Sequence, residues 1–206
     1  MFSFLKKKPK QSVDELLALL SSVGFAFRNE QSKQFGLSNL GDDRFGGTVS
    51  IEHLLAVMGE EQFDEAAEEP SSLSDEVWSS DDVWHFDYEA IEDHGAYKQI
   101  VQNCCRISGA DLSFDEITDY VDLEEEVAWV ELRTRSKYSK LTLKVKNDWA
   151  DPSIFVELNK LLKAANSTKQ LFQHDLGQDV LMICRDQSEI IPINKATGLK
   201  FFQIKG

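Results

Sequence analysis

From Phe45 to Tyr97 the chain has no lysine or arginine, while the same 53 residues hold 15 aspartates and glutamates. Elsewhere 22 basic residues face the other 21 of the 36 acidic ones, so this single stretch carries the net charge of −14. A field of that sign disfavours nucleic-acid phosphates and anionic lipid, and favours a basic partner. Long hydrophobic runs are also missing. None approaches the roughly 20 residues that a membrane-crossing helix needs. Cysteine is scarce and odd in number: adjacent Cys104 and Cys105, and distant Cys184. With no CxxC there is no basis for a zinc ribbon, a dithiol redox centre or a disulfide framework. Neighbouring helical side chains diverge by about 100°, so Cys104 and Cys105 are poor joint ligands. Reduced, buried thiols are expected.

Motifs with specific chemistry are absent as well. There is no GxGxxG, no GxxxxGK[ST], no HExxH and no EF-hand loop. The stretch Gly36 to Gly41, GLSNLG, fails as a nucleophile elbow because its second glycine falls one position late. These absences favour a non-enzymatic role with no cofactor. The start, Met1 to Lys10, sets an apolar tip before its lysines, the reverse of a secretory signal, so a cytoplasmic protein is expected.

What is present reads as an α+β chain. Ser12 and Glu15 form a capping box ahead of Val13, Leu16, Leu17, Leu20 and Val23, which recur at helical spacing up to Gly24. Phe25 to Arg28 suits a short strand, and the glycine-bearing stretch Asn29 to Gly47 reads as loop. A second helix is predicted from Ser50 to Met58, ending at Gly59. Two short helices bury too little to fold alone, so residues 1–59 are expected to dock on the main domain. Residues 60–82 read as an acidic linker, with Phe63, Leu73, Val77 and Trp78 as apolar anchors.

At Val83 the pattern changes. Trp84, Phe86 and Tyr88 alternate with His85, Asp87 and Glu89, the period of a strand with one aromatic face. A helix is predicted from Gly95 to Ile107, then strands Ile117 to Val121, Val127 to Thr134 and Ser139 to Lys146. Asp151 and Pro152 mark a helix start. Strands Gln170 to Asp175 and Asp179 to Arg185 flank a turn in which Gly177 is expected at positive φ. Ser188 to Thr197 suits either a strand or a short helix that admits Pro192 near its start. Leu199 to Ile204 is the last predicted strand. Residues 83–206 are therefore expected to form a mainly antiparallel sheet with helices packed on one face, beside a small helical N-terminal region.

Four constellations could carry function. His85, Asp87, Glu89 and His94 are imidazole and carboxylate donors grouped within WHFDYEAIEDH, a usual set for a divalent metal and a possible centre for metal-dependent hydrolysis. His174, Asp175, Gln178 and Asp179 gather at a turn. Arg133, Arg135, Lys137, Lys140, Lys144 and Lys146 make one hairpin basic, with the lysines suited to protecting a sheet edge. Finally, Glu60, Glu61, Glu68, Glu69, Asp81 and Asp82, with Trp78 as anchor, could meet a basic protein. In composition, though not in motif, the chain is similar to small acidic immunity and inhibitor proteins of bacterial type, whose carboxylates take the place of nucleic-acid phosphates. The expectation is an acidic protein-interaction module.

Overall fold

The computed structural model describes residues 11–40, 49–61 and 78–204. Glu68, Glu69, Phe63, Leu73, Val77 and the Met1 to Lys10 stretch lie outside the described residues. Three helices come first: α1 (Val13–Ser22), α2 (Glu30–Ser38) and α3 (Ile51–Gly59). They are followed by β1 (Trp84–Asp87), α4 (Ala96–Ser108), β2 (Glu116–Asp122), β3 (Val127–Arg133) and β4 (Tyr138–Leu143). The chain closes with α5 (Ser153–Ala164), β5 (Lys169–Asp175), β6 (Asp179–Asp186), α6 (Gln187–Thr197) and β7 (Phe202–Gln203). The strands form two antiparallel sheets, one of order β1-β6-β5-β7 and one of order β2-β3-β4. The α+β, antiparallel class read from the sequence is the one observed. Among the described residues no helix is long and apolar enough to cross a membrane.

The central strands β5 and β6 of the four-stranded sheet are covered on both faces, and their side chains alternate between two cores. Leu171, Val180, Met182 and Cys184 join Trp84 and Phe86 on one face, against Ile100, Val101 and Cys104 of α4 and Ile154, Phe155 and Leu158 of α5. Val121, Val130 and Leu132 of the three-stranded sheet complete this core. Phe172, Leu181 and Ile183 turn the other way, to Leu16 and Leu20 of α1, Leu54, Leu55 and Met58 of α3, and Ile190 and Ile193 of α6. Two-sided burial explains why Val180 to Cys184 is an unbroken apolar run rather than an alternating one. Each fully buried aliphatic or aromatic side chain contributes about 1.5–3 kcal/mol.

Local chemistry fixes the helix ends. Ser12 and Glu15 make the expected capping box on α1, and Ser50 caps α3 with His53 in the reciprocal position. Gly59 is the last residue of α3 rather than a stop beyond it, and it serves close approach: a Cβ there would sit 2.4 Å from the backbone nitrogen of His85. Asp151 accepts from the Ser153 amide at 2.9 Å and from the Lys144 amide at 2.7 Å, tying the start of α5 to the end of β4. Asn159 of α5 spans the backbone of Leu171, accepting from its N–H at 2.7 Å and donating to its carbonyl at 3.3 Å. It does this where β7 is too short to cover β5, whose pairing with it involves only Phe172 and Gln173.

Two local expectations are corrected and one left open is resolved. Within Asn29 to Gly47, residues Glu30–Ser38 are helical, capped by the Asn29 side chain on the Ser32 amide at 2.8 Å. Phe25 to Arg28 is not a strand: its backbone groups bond to the Ser80 hydroxyl, the Asp82 carboxylate and the Ser79 carbonyl instead of to a ladder. Ser188 to Thr197 is helix, begun by a capping box between Asp186 and Glu189, and Pro192 sits inside it rather than near its start. The last predicted strand shortens to the two residues of β7. Gly177 does have positive φ, at 111°.

Candidate interaction surface

The acidic residues around the turn into β1 do not stand free. Asp81 receives the Arg28 guanidinium, with Nε at 2.9 Å. Asp82 accepts the Ala26 amide at 3.0 Å and Arg185 Nη2 at 2.8 Å, and the same Arg185 nitrogen donates to the Gly24 carbonyl at 2.7 Å. Glu60 lies 3.5 Å from His85 Nδ1. Trp78 lies under the Arg106 guanidinium at 4.1 Å, and its backbone bridges to Glu61. Arg106 in turn holds the carbonyls of Ser80 and Val83 and the Asn103 side chain. Burial pulls its pKa down to about 10, and burial raises that of Glu61 against the pull of Arg106. So Glu60, Glu61, Trp78, Asp81 and Asp82 are brought together, but around arginines and a histidine of this same chain. Arg28, Trp78, Asp81 and Arg106 also wall a cleft of about 720 Å³ alongside Gln99, Gln102 and Asn103.

The imidazole and carboxylate set is dispersed. His85 reaches across β1 and β6 to Asp179 at 3.3 Å. Asp87 and Glu89 share the Gln178 amide. The His94 ring lies tilted against Tyr120, 4.7 Å between ring centroids, and accepts the Val121 amide at 3.3 Å. Among the described residues no group of three or more His, Cys, Asp or Glu side chains is placed to hold a metal ion. His85 is the most perturbed of the set. Burial alone would lower its pKa, but Glu60 and Asp179 outweigh that and hold it above its ordinary value. At the turn before β6, the His174 side chain meets Glu52 of α3 at 3.1 Å and the Lys200 amide at 3.2 Å, which ties the N-terminal helices to the chain end.

Two of the basic hairpin's residues are answered within its own sheet. Lys140 pairs with Glu131 at 2.9 Å and lies 3.7 Å from the Trp129 ring centroid, and Arg133 pairs with Glu116 at 3.0 Å. β4, which carries Lys140, lies at the edge of the three-stranded sheet, where charge discourages strand-to-strand association. The three thiols are free, with Cys104 and Cys184 buried. Desolvation pushes Cys105 and Cys184 up to about 12 and Cys104 well above its ordinary value.

Carboxylates that mostly form no ion pair gather elsewhere, at the far end of the aromatic strand. The β2–β3 turn exposes Glu124, Glu125 and Glu126. The loop after β1 exposes Glu89, Glu92 and Asp93 beside it, held there by His94 on Val121 and by the Ile91 amide on the Asp148 carbonyl at 2.9 Å. Asp148 and Glu126 line one shallow depression with Leu123, Val145 and Lys146. Among the described residues Glu92, Glu124, Glu125, Glu126 and Asp148 form no ion pair, and Leu123 and Val127 expose apolar surface within the rim they make. In the sequence this turn shows only as an acidic run, Glu124 to Glu126, between two strands. Its contact with the 89–94 loop depends on a pairing of His94 with Val121 that spacing alone does not reveal.

Comparison of the chain with protein-family models, with curated proteins and with solved structures finds no match.

Proposed function

We propose that the protein is a non-enzymatic interaction module, of the immunity or inhibitor kind, that recognises a basic protein surface. The observation that carries this reading is the acidic rim of Glu89, Glu92, Asp93, Glu124, Glu125, Glu126 and Asp148, whose carboxylates lie on a sheet end and include five that form no ion pair among the described residues. Leu123 and Val127 inside the rim supply apolar area that a partner would desolvate, and charge around it would steer encounter. Asp81 and Asp82, engaged by Arg28 and Arg185, serve in this reading to hold the chain in place. The partner's chemistry is a patch of lysine and arginine, the kind that otherwise meets nucleic-acid phosphate. A cytoplasmic setting fits the reduced thiols.

The test is affinity capture from host lysate at low and high salt, with the wild type, an E124Q/E125Q/E126Q variant and an E60Q/E61Q variant. A basic protein retained by wild type, released by salt and lost on the rim variant supports the reading. Retention that ignores salt, or that survives the rim substitutions, overturns it.

A further inference from the structure

We propose that a second surface, an open groove beside β7, takes an extended, mostly apolar segment of a partner protein by strand addition, oriented by one or two carboxylates on that segment. This surface borders the acidic rim, sharing Val145 and Lys146 with the depression at Glu126 and Asp148, but the inference does not rest on that reading.

Three features converge there. The first is an unpaired edge. β7 ends the order β1-β6-β5-β7, so Phe202 and Gln203 pair with β5 on one side and with no strand of the described residues on the other. Such an edge is the template that β-augmentation uses, in which main-chain hydrogen bonds supply affinity and alternate side chains fill pockets. The second is apolar lining along the edge. Tyr88, Val145, Trp149, Phe202 and Ile204 wall a groove of about 1160 Å³. Phe202 is 46% exposed although it is aromatic. The Tyr88 and Trp149 rings stack at 13° as one continuous wall, and the Tyr88 hydroxyl is fixed to the Gln173 side chain at 2.8 Å. An open trough of this size, larger than the roughly 300–1,000 Å³ usual for small ligands, suits a stretch of chain.

The third feature is charge. Lys144 and Lys146 line the groove, and neither makes an ion pair among the described residues of a chain whose net charge is −14. Lys146 Nζ stays over the Trp149 ring, 5.9 Å from its centroid. The one carboxylate in the lining, Asp151, is already held by the Lys144 and Ser153 amides. Two unanswered ammonium groups on apolar walls select a segment with a carboxylate at that point. The overall negative field sets a limit: a run of acidic residues would be repelled, so the fitting segment carries one or two.

The test uses fluorescence anisotropy with a labelled, blocked heptapeptide of alternating valine and threonine that has glutamate at each end. Comparison peptides are a lysine-ended counterpart and the glutamate-ended peptide N-methylated at alternate residues. Saturable binding of the first is expected, weakened at least about fivefold by the lysine ends and by the K144E/K146E protein. N-methylation, which removes two or three main-chain donors, should weaken it at least about tenfold. The F202D variant should bind poorly, and E124Q/E125Q/E126Q should bind as wild type does, which separates this surface from the rim. Thermal unfolding of each variant verifies that these exposed substitutions leave the fold intact. Equal binding of the N-methylated or lysine-ended peptide overturns the proposal. So does absence of binding by the glutamate-ended peptide, or a dimer in sedimentation that F202D dissolves, since a second copy would then be the occupant.

Discussion

At the scale of single residues, His85 makes a measurable claim. Its pKa is raised in the folded chain because Glu60 and Asp179 outweigh the effect of burial. A raised imidazole pKa adds stability that is fully present below the unfolded value near 6.5, and that is lost as pH rises through the folded value. Urea unfolding should therefore show the wild type losing stability over that window, and His85→Asn should flatten the dependence. An unchanged slope would place the pH sensitivity elsewhere. The cysteines give a second claim at the same scale. Desolvation pushes Cys105 and Cys184 up to about 12 and raises Cys104 well above its ordinary value, so a thiolate reagent at pH 8 should label the native chain far more slowly than the urea-unfolded one. Prompt labelling of one native thiol would contradict that burial.

Elements show how far the sequence speaks for itself. α1 and α3 are legible because their caps and apolar spacing lie within ten residues of each other. α2 is not, since Glu30 to Ser38 has a weak apolar stripe and buries Ser32 and Gly36, small residues that give no hydrophobic signal. α6 could be read once its cap is sought one turn earlier, at Asp186 with Glu189. The candidate site divides in the same way. Charge is visible in the sequence, but its neutralisation is not, because the arginines that answer Asp81 and Asp82 stand 53 and 103 residues away. Gly59 tests the packing of α3 on β1. Alanine there would drive its Cβ into the backbone at His85, where no flexible side chain can yield, so a loss of about 1–3 kcal/mol or more is expected in denaturant unfolding. A loss within a few tenths would show that α3 can lift away from the strand at little cost.

For the whole molecule, the telling feature is that the sheet is a partition rather than a floor. Phe172, Leu181 and Ile183 are covered by α1, α3 and α6, so removing residues 1–59 would bare one full side of the central strands. A chain of residues 60–206 should then lose its cooperative thermal transition and bind a hydrophobic dye, whereas a sharp transition at the wild-type temperature would show that α6 alone can close that side. The acidic rim and the β7 groove adjoin, with Val145 and Lys146 lining both, so occupants of the two surfaces would meet at that lysine.

That partition also sets an order of events during synthesis. α3 is complete by Gly59 and β1 follows at Trp84, but β6, which carries Leu181 and Ile183, starts only at Asp179, 120 residues after Gly59. At about 5–20 residues per second the first helices wait roughly 6–24 s for that strand. During that interval Leu16, Leu20, Leu54 and Leu55 have one another but not the β6 surface to lie against. The newborn N-terminal third is thus a natural client for a chaperone at the ribosome, and ribosome-bound chains stalled before β6 should be cut readily by protease within α1 and α3, while those released past α6 should resist.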